Sequence, residues 1–174
     1  MDFVDRLLEL HEWLSGHRDG RSLLFPTRLS YPETQSPGNA AGLSLRGRDV
    51  SHQLFPQLAR RRRFETGQNM ELLVDSHGET NSIRVITRCA TADGEDCPYA
   101  IVPATPGPCR FLDPEMCGVL MILAIPPNED PAAPKCHLWI ARSVAEEDAM
   151  ESSFGGRPYR WALQGPGIFR CDLV

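Results

Sequence analysis

Four consecutive arginines, Arg60, Arg61, Arg62 and Arg63, are the densest charge in the chain. Guanidinium groups that close repel one another unless solvent or anions neutralise them. The run therefore reads either as a solvated basic turn or as a clamp on phosphates. Seventeen of the eighteen basic residues are arginine and the other is Lys135. A planar five-donor fork suits phosphates and guanine edges, although a GC-rich genome would give the same bias. Two polar stretches add groups able to read bases. Residues 27–42, TRLSYPETQSPGNAAG, carry Arg28, Ser30, Tyr31, Thr34, Gln35 and Asn39. Residues 89–116 carry Asp93, Glu95, Asp96 and Tyr99, with Arg84 and Arg88 just before them. Arg, Gln and Asn pair two-point with base edges, and Asp or Glu accepts from the cytosine amino group. The alternative for both stretches is an ordinary polar surface loop.

Catalytic signatures are missing. There is no GxSxG elbow, Walker loop or GxGxxG. Metal-dependent nucleases often place a lysine two residues after an acid, but here Ala133 stands two before the lone Lys135. The six cysteines, Cys89, Cys97, Cys109, Cys117, Cys136 and Cys171, form no CxxC pair and match no common zinc spacing. They read as free or buried thiols. His11, His17, His52, His77 and His137 are scattered, without HExxH, and read as surface or packing residues. The chain is expected to be non-catalytic, with no metal and no cofactor.

The elements that must position these groups follow from periodicity. Residues 2–15 put Phe3, Leu7, Leu10 and Leu14 on one helical stripe, and Gly16 is the expected stop. Leu23 to Phe25 form a short strand. A second helix is expected from Asp49 to Leu58, with Asp49 as N-cap and Pro56 obscuring its end. Strands are expected over Glu71–Asp75, Ile83–Arg88, Gly118–Ile125 and His137–Arg142, all rich in Val, Ile and Leu. Ser143 and Glu146 make a capping box for a helix reaching about Ser153, closed by Gly155 and Gly156. Two short strands follow, near Tyr159–Leu163 and Ile168–Asp172. The second long loop is taken to span 89–116 without a regular element. Strands that do not alternate with helices argue against a parallel βαβ sheet and for a barrel-like α+β domain.

Size and charge agree with one domain over residues 1–174. The chain has 174 residues and 19.4 kDa, with 41% hydrophobic and 24% charged residues. Its longest near-apolar run, Gly118 to Pro127, is far below the roughly 20 residues of a membrane helix. Asp2 and Asp5 stand where a secretory signal would be basic. A cytoplasmic protein without membrane contact is expected. The net charge of −5 excludes a uniformly basic coat but not a local basic patch.

Several segments, in collinear order, resemble the N-terminal effector-binding domain of EcoRII-type restriction endonucleases, a relative of plant B3-type DNA-binding domains. They are the N-terminal helix, RLS at 28–30 leading to GL at 42–43, LFP at 54–56, LDP at 112–114, GVLMILAI at 118–125 and HLWIARSVAEEDAME at 137–151. The resemblance implies a B3-like open pseudobarrel of about seven strands with flanking helices. It also implies two arms that grip the DNA major groove, each reading half of a CCWGG-type site. The arms would fall on residues 28–46 and 87–100. Arg28, Gly42, Leu43 and Arg88 match the family pattern, whereas Asn39-Ala40-Ala41-Gly42, Ser44 and the acidic ATADGEDCPY depart from it. Glu95 or Asp96 would stand in for the family's acidic cytosine reader.

The expectation is a monomeric, metal-independent double-stranded DNA-binding effector domain of a type II (IIE-like) enzyme in a prokaryotic cytoplasm. Arg28, Gln35, Asn39, Arg88, Glu95, Asp96 and Tyr99 are the candidates for base contact. Ser30, Thr34, Arg46, Arg48, Arg60, Arg61, Arg62, Arg63 and Arg84 are those for the backbone. By the same resemblance, a C-terminal nuclease domain of the same polypeptide is a partner. Mg2+ belongs to that domain, and the strand-like IFRCDLV ending at Val174 reads as the boundary before it. The competing reading is a protein-interaction or structural module, favoured by the acidic second stretch and the net charge. A small metal-dependent hydrolase would need a ligand constellation that the spacings do not supply.

Overall fold

A computed structural model describes residues 3–29, 43–45, 68–87, 99–104, 114–127, 135–154 and 169–170. In chain order these form α1 (Phe3–Asp19), β1 (Leu23–Arg28), β2 (Leu43–Leu45), β3 (Gln68–Val74), a 3-10 turn (Asp75–His77), β4 (Glu79–Thr87) and β5 (Tyr99–Pro103). A second 3-10 turn (Pro114–Met116), β6 (Leu120–Ile125), β7 (Lys135–Ile140), α2 (Val144–Ser153) and β8 (Phe169–Arg170) complete them. The strands make one eight-stranded sheet in the order β2-β5-β4-β3-β7-β6-β1-β8. Every pairing is antiparallel except β3 with β7, which run parallel from Glu71 opposite Lys135 to Val74 opposite Leu138. One parallel seam thus lies inside a sheet expected to be antiparallel.

The pleat of β1, β6 and β7 sends alternate side chains into two cores. Phe25, Met121, Leu123, Cys136, Leu138 and Ile140 join Leu72, Val74, Ile83, Val85 and Ile101 in one buried cluster. Leu24, Leu120, Ile122, Ala124, Trp139 and Ala141 point the other way, onto Leu10 and Leu14 of α1 and Met150 of α2. Both helices cover the second face, so among the described residues no helix covers the first. One mostly antiparallel sheet that buries side chains on both faces is consistent with an open pseudobarrel. The two edge strands, β2 and β8, have only three and two residues.

Three local expectations change. The N-terminal helix does not stop at Gly16 but runs to Asp19. Glycine costs about 1 kcal/mol in a helix, and the tertiary contacts of Leu14 with the second core and of His17 with His137 outweigh it. The turn comes at Gly20, whose N–H bonds to the Gly16 carbonyl and where a Cβ would sit 3.1 Å from that oxygen. Arg21 then takes the left-handed conformation, φ 55°, and Ser22 N–H bonds back to the His17 carbonyl. Second, the stretch 89–116 holds β5 and a 3-10 turn. Third, Ser143 caps α2 as expected, accepting from Glu146 N–H at 3.2 Å, but the Glu146 carboxylate accepts from the Arg142 N–H rather than that of Ser143. The expected helix at 49–58, the strand at 159–163 and the closing Gly155 and Gly156 lie outside the described residues.

Candidate nucleic-acid interface

Register pairs the strand that follows the first polar segment, β2, with the strand that follows the second, β5. β5 lies between β4 and β2, with Tyr99 opposite Thr87 on one side and Leu45 on the other. Residues 88–98 therefore connect two paired strands at their common end. The first segment returns to the sheet at Leu43, opposite Ile101, two residues along β5 from Tyr99. At ~3.3 Å per residue along β5 and ~4.8 Å between strands, Leu43 and Tyr99 are about 8 Å apart, at opposite ends of the short pairing. β2 leaves the pairing at Leu45, opposite Tyr99.

The departure of the first segment is fixed tightly. Leu29, 2% exposed, belongs to the core cluster of the first face. Its N–H bonds to the Val119 carbonyl at 3.2 Å and its carbonyl accepts from Gly118 N–H at 2.8 Å. Gly118 has φ 85°, a conformation that disfavours any side chain. Arg28, the last residue of β1, donates to the Gly118 carbonyl at 2.7 Å, to Glu147 Oε2 at 2.8 Å and to Glu151 Oε1 at 3.2 Å. Glu147 and Glu151 are one helical turn apart on α2 and face the same way. Glu147 Oε1 also accepts from Leu120 N–H. The fork that residue type and resemblance assign to a base edge thus holds α2 against the start of the first segment.

Of the other candidates, Arg84 is exposed on β4, opposite Asn69 of β3 and Val102 of β5. It alternates with the buried Ile83 and Val85 and so projects from the opposite face. Tyr99 begins β5. Ser30, Thr34, Gln35, Asn39, Arg46, Arg48, Arg60, Arg61, Arg62, Arg63, Arg88, Glu95 and Asp96 lie outside the described residues.

Behind the sheet, two polar clusters lock the helices in place, and spacing in the sequence does not announce either. Arg6 of α1 donates from Nε to Glu146 Oε1 at 2.6 Å and from Nη1 to the Ser76 carbonyl at 2.9 Å, and lies 5.5 Å from the Trp139 ring centre. Burial alone would raise the Glu146 pKa, but the Arg6 hydrogen bond, the Arg142 N–H and the Arg6 charge outweigh it, and the carboxyl sits below its usual value. The second cluster is Trp13, His17, Asp75 and His137. Asp75 Oδ2 accepts from Trp13 Nε1–H at 2.6 Å and lies 2.9 Å from His137 Nδ1. The rings of His17 and His137 meet edge-on at 4.9 Å between centroids. Burial first, then His137, lowers the His17 pKa to about 4, against an upward pull from Asp75. His17, Asp75 and His137 each offer a metal-ligating atom, and these atoms lie within 4.8 Å of one another. The two histidines taken as scattered are therefore neighbours. They lie 120 residues apart in the chain, and no local motif links them.

No helix among the described residues is long and apolar enough to cross a membrane. No curated protein matches the chain. The family model described as "Restriction endonuclease EcoRII, N-terminal" matches residues 21–159, from the turn after α1 to beyond the end of α2. A match over that much of the sheet and over α2 shows that the chain belongs to the family of EcoRII restriction endonuclease N-terminal domains.

Proposed function

We propose that this chain is the effector domain of a type II restriction endonuclease and binds double-stranded DNA in a sequence-specific way. Residues 28–46 and 87–100 act as two arms in the major groove of a CCWGG-type site, on a B3-like body. The observation that supports this is the β2–β5–β4 edge, in which β2, the end of the first arm's segment, pairs with β5, the strand that follows the second. Family membership supports the partner. Direct readout falls to Gln35, Asn39, Arg88, Tyr99 and Glu95 or Asp96, and backbone contact to Ser30, Thr34, Arg46, Arg48, Arg60–Arg63 and Arg84. Arg28, with its fork on α2, fixes the angle at which the first arm leaves and is the remaining candidate for a base edge. In this proposal the domain works as a monomer whose contacts with DNA use no metal, and cleavage belongs to a separate C-terminal nuclease domain that uses Mg2+.

Fluorescence anisotropy with a CCWGG duplex and a scrambled duplex of equal length, at several salt concentrations, tests the proposal. Preference for the first, with affinity falling as salt rises, is the expected result. Equal affinity for both removes sequence specificity. No binding to either at low salt favours the alternative of a protein-interaction module, for which the net charge of −5 and the acidic α2 speak.

A further inference from the structure

We propose that His17, Asp75 and His137 bind one first-row divalent cation, zinc by the chemistry of the donors, fastening α1 to the parallel β3–β7 seam. The three residues come from three elements: the last turn of α1, the 3-10 turn after β3, and β7. Two imidazoles and one carboxylate suit zinc and its neighbours, whereas magnesium and calcium require mostly oxygen. Zinc bonds of ~2.0–2.2 Å would draw tetrahedral ligand atoms to about 3.4 Å from one another. His137 Nδ1 and Asp75 Oδ2 are hydrogen-bonded at 2.9 Å, and an ion would replace the shared proton and open them by ~0.5 Å. The ligand atoms span at most 4.8 Å, so closure needs a shift of little more than ~1 Å, within reach of side-chain rotation.

The surroundings are those of a supported site. Trp13 Nε1–H bonds to Asp75 Oδ2 and orients the carboxylate. The Ser22 hydroxyl, 2% exposed with its residue, sits 2.9 Å from His17 Nδ1, which leaves the other ring nitrogen for the ion. Such outer partners fix ring orientation and tautomer in metal sites. The Asp75 and His137 side chains are each 25% exposed, which gives an ion a path and leaves a fourth position for water. His11, on the exposed side of the same helix, takes no part.

The full 174-residue chain, stripped with a chelator and without DNA, is titrated with zinc by calorimetry and with cobalt(II) by absorption spectroscopy. One equivalent is expected to bind. The cobalt spectrum should be that of low-symmetry nitrogen and oxygen coordination and should vanish on adding one equivalent of zinc. Zinc should raise the melting temperature. In NMR spectra of the unaltered chain, the ring signals of His17 and His137 should move, while those of His11 and His77 stay. His17→Ala and His137→Ala should each weaken binding by about 10–100-fold or more, and His11→Ala should not. The proposal is overturned by absence of binding at micromolar zinc. It is equally overturned by unchanged ring signals of His17 and His137, or by the intense near-ultraviolet band of a cobalt thiolate, which would assign the metal to cysteines.

Discussion

Replacing Arg28 by alanine separates two roles for that residue, and the size of the effect follows from its contacts. The substitution removes a charged hydrogen bond to the Gly118 carbonyl and two ion pairs. It leaves Glu147 and Glu151 facing each other, with side chains only 20% and 11% exposed. Stranding buried charge costs about 3–5 kcal/mol. Because the Arg28 side chain keeps 17% of its exposure, solvent screens part of the effect, and about 2–4 kcal/mol is the expected loss. For a domain of this size that lowers the melting temperature by roughly 5–12 °C. Scanning calorimetry measures it. The stranded carboxylates are the cause, so Arg28→Ala should cost only about 1 kcal/mol when Glu147→Gln and Glu151→Gln are already present. DNA affinity measured on the same variants completes the experiment. If Arg28→Ala leaves the melting temperature within about 1 °C while erasing the preference for one duplex, Arg28 reads a base and the clamp on α2 is incidental.

Three more outcomes are expected. Arg88→Ala should weaken binding to the preferred duplex by ~1–3 kcal/mol and relax its specificity, whereas Arg62→Ala should weaken all duplexes alike and flatten the salt dependence; titrations by anisotropy would show whether the two differ. Glu146, held below the usual carboxylate pKa, stabilises the fold fully above about pH 4.5, and that contribution is lost as pH falls below it towards the folded value. Urea midpoints between pH 6 and 3 should therefore fall less steeply in Glu146→Gln, though from a lower start. Burial pushes the Cys136 thiol up to about 12, so native protein should resist alkylation there while the exposed Cys117 reacts, as peptide mass mapping would show.

What the residues announced depended on how local the cause was. The Ser143 helix start was legible because its cap lies three residues from the group it satisfies, and β6 because LMILAI is apolar without interruption. β5 was missed because YAIVP is short, follows Pro98 and ends in Pro103, which read as loop. The helix end was misplaced because Gly16 is a local stop signal, while the contacts of Trp13 and His17 that override it are with Asp75, Ser22 and His137. The parallel seam joins residues some 64 positions apart, with no crossover helix pattern to advertise it. Arg28 was read as a base contact, and no local motif pointed to the acceptors it has on α2, which lie 119 and 123 residues away. The arms themselves rest on resemblance and residue type, and the pairing of β2 with β5 on strand register.

The packing of α1 bears on how the domain should be cut. The family match opens at residue 21, yet Leu10 and Leu14 cover Leu24, Leu120, Ile122 and Trp139, and Arg6 neutralises Glu146. A fragment trimmed to the match would bare a greasy strip of sheet to water and strand a carboxylate beneath α2. It would tend to stick to itself, and its poor behaviour would say nothing about its affinity for nucleic acid. The unit that folds is longer at its front than the unit that sequence comparison delimits.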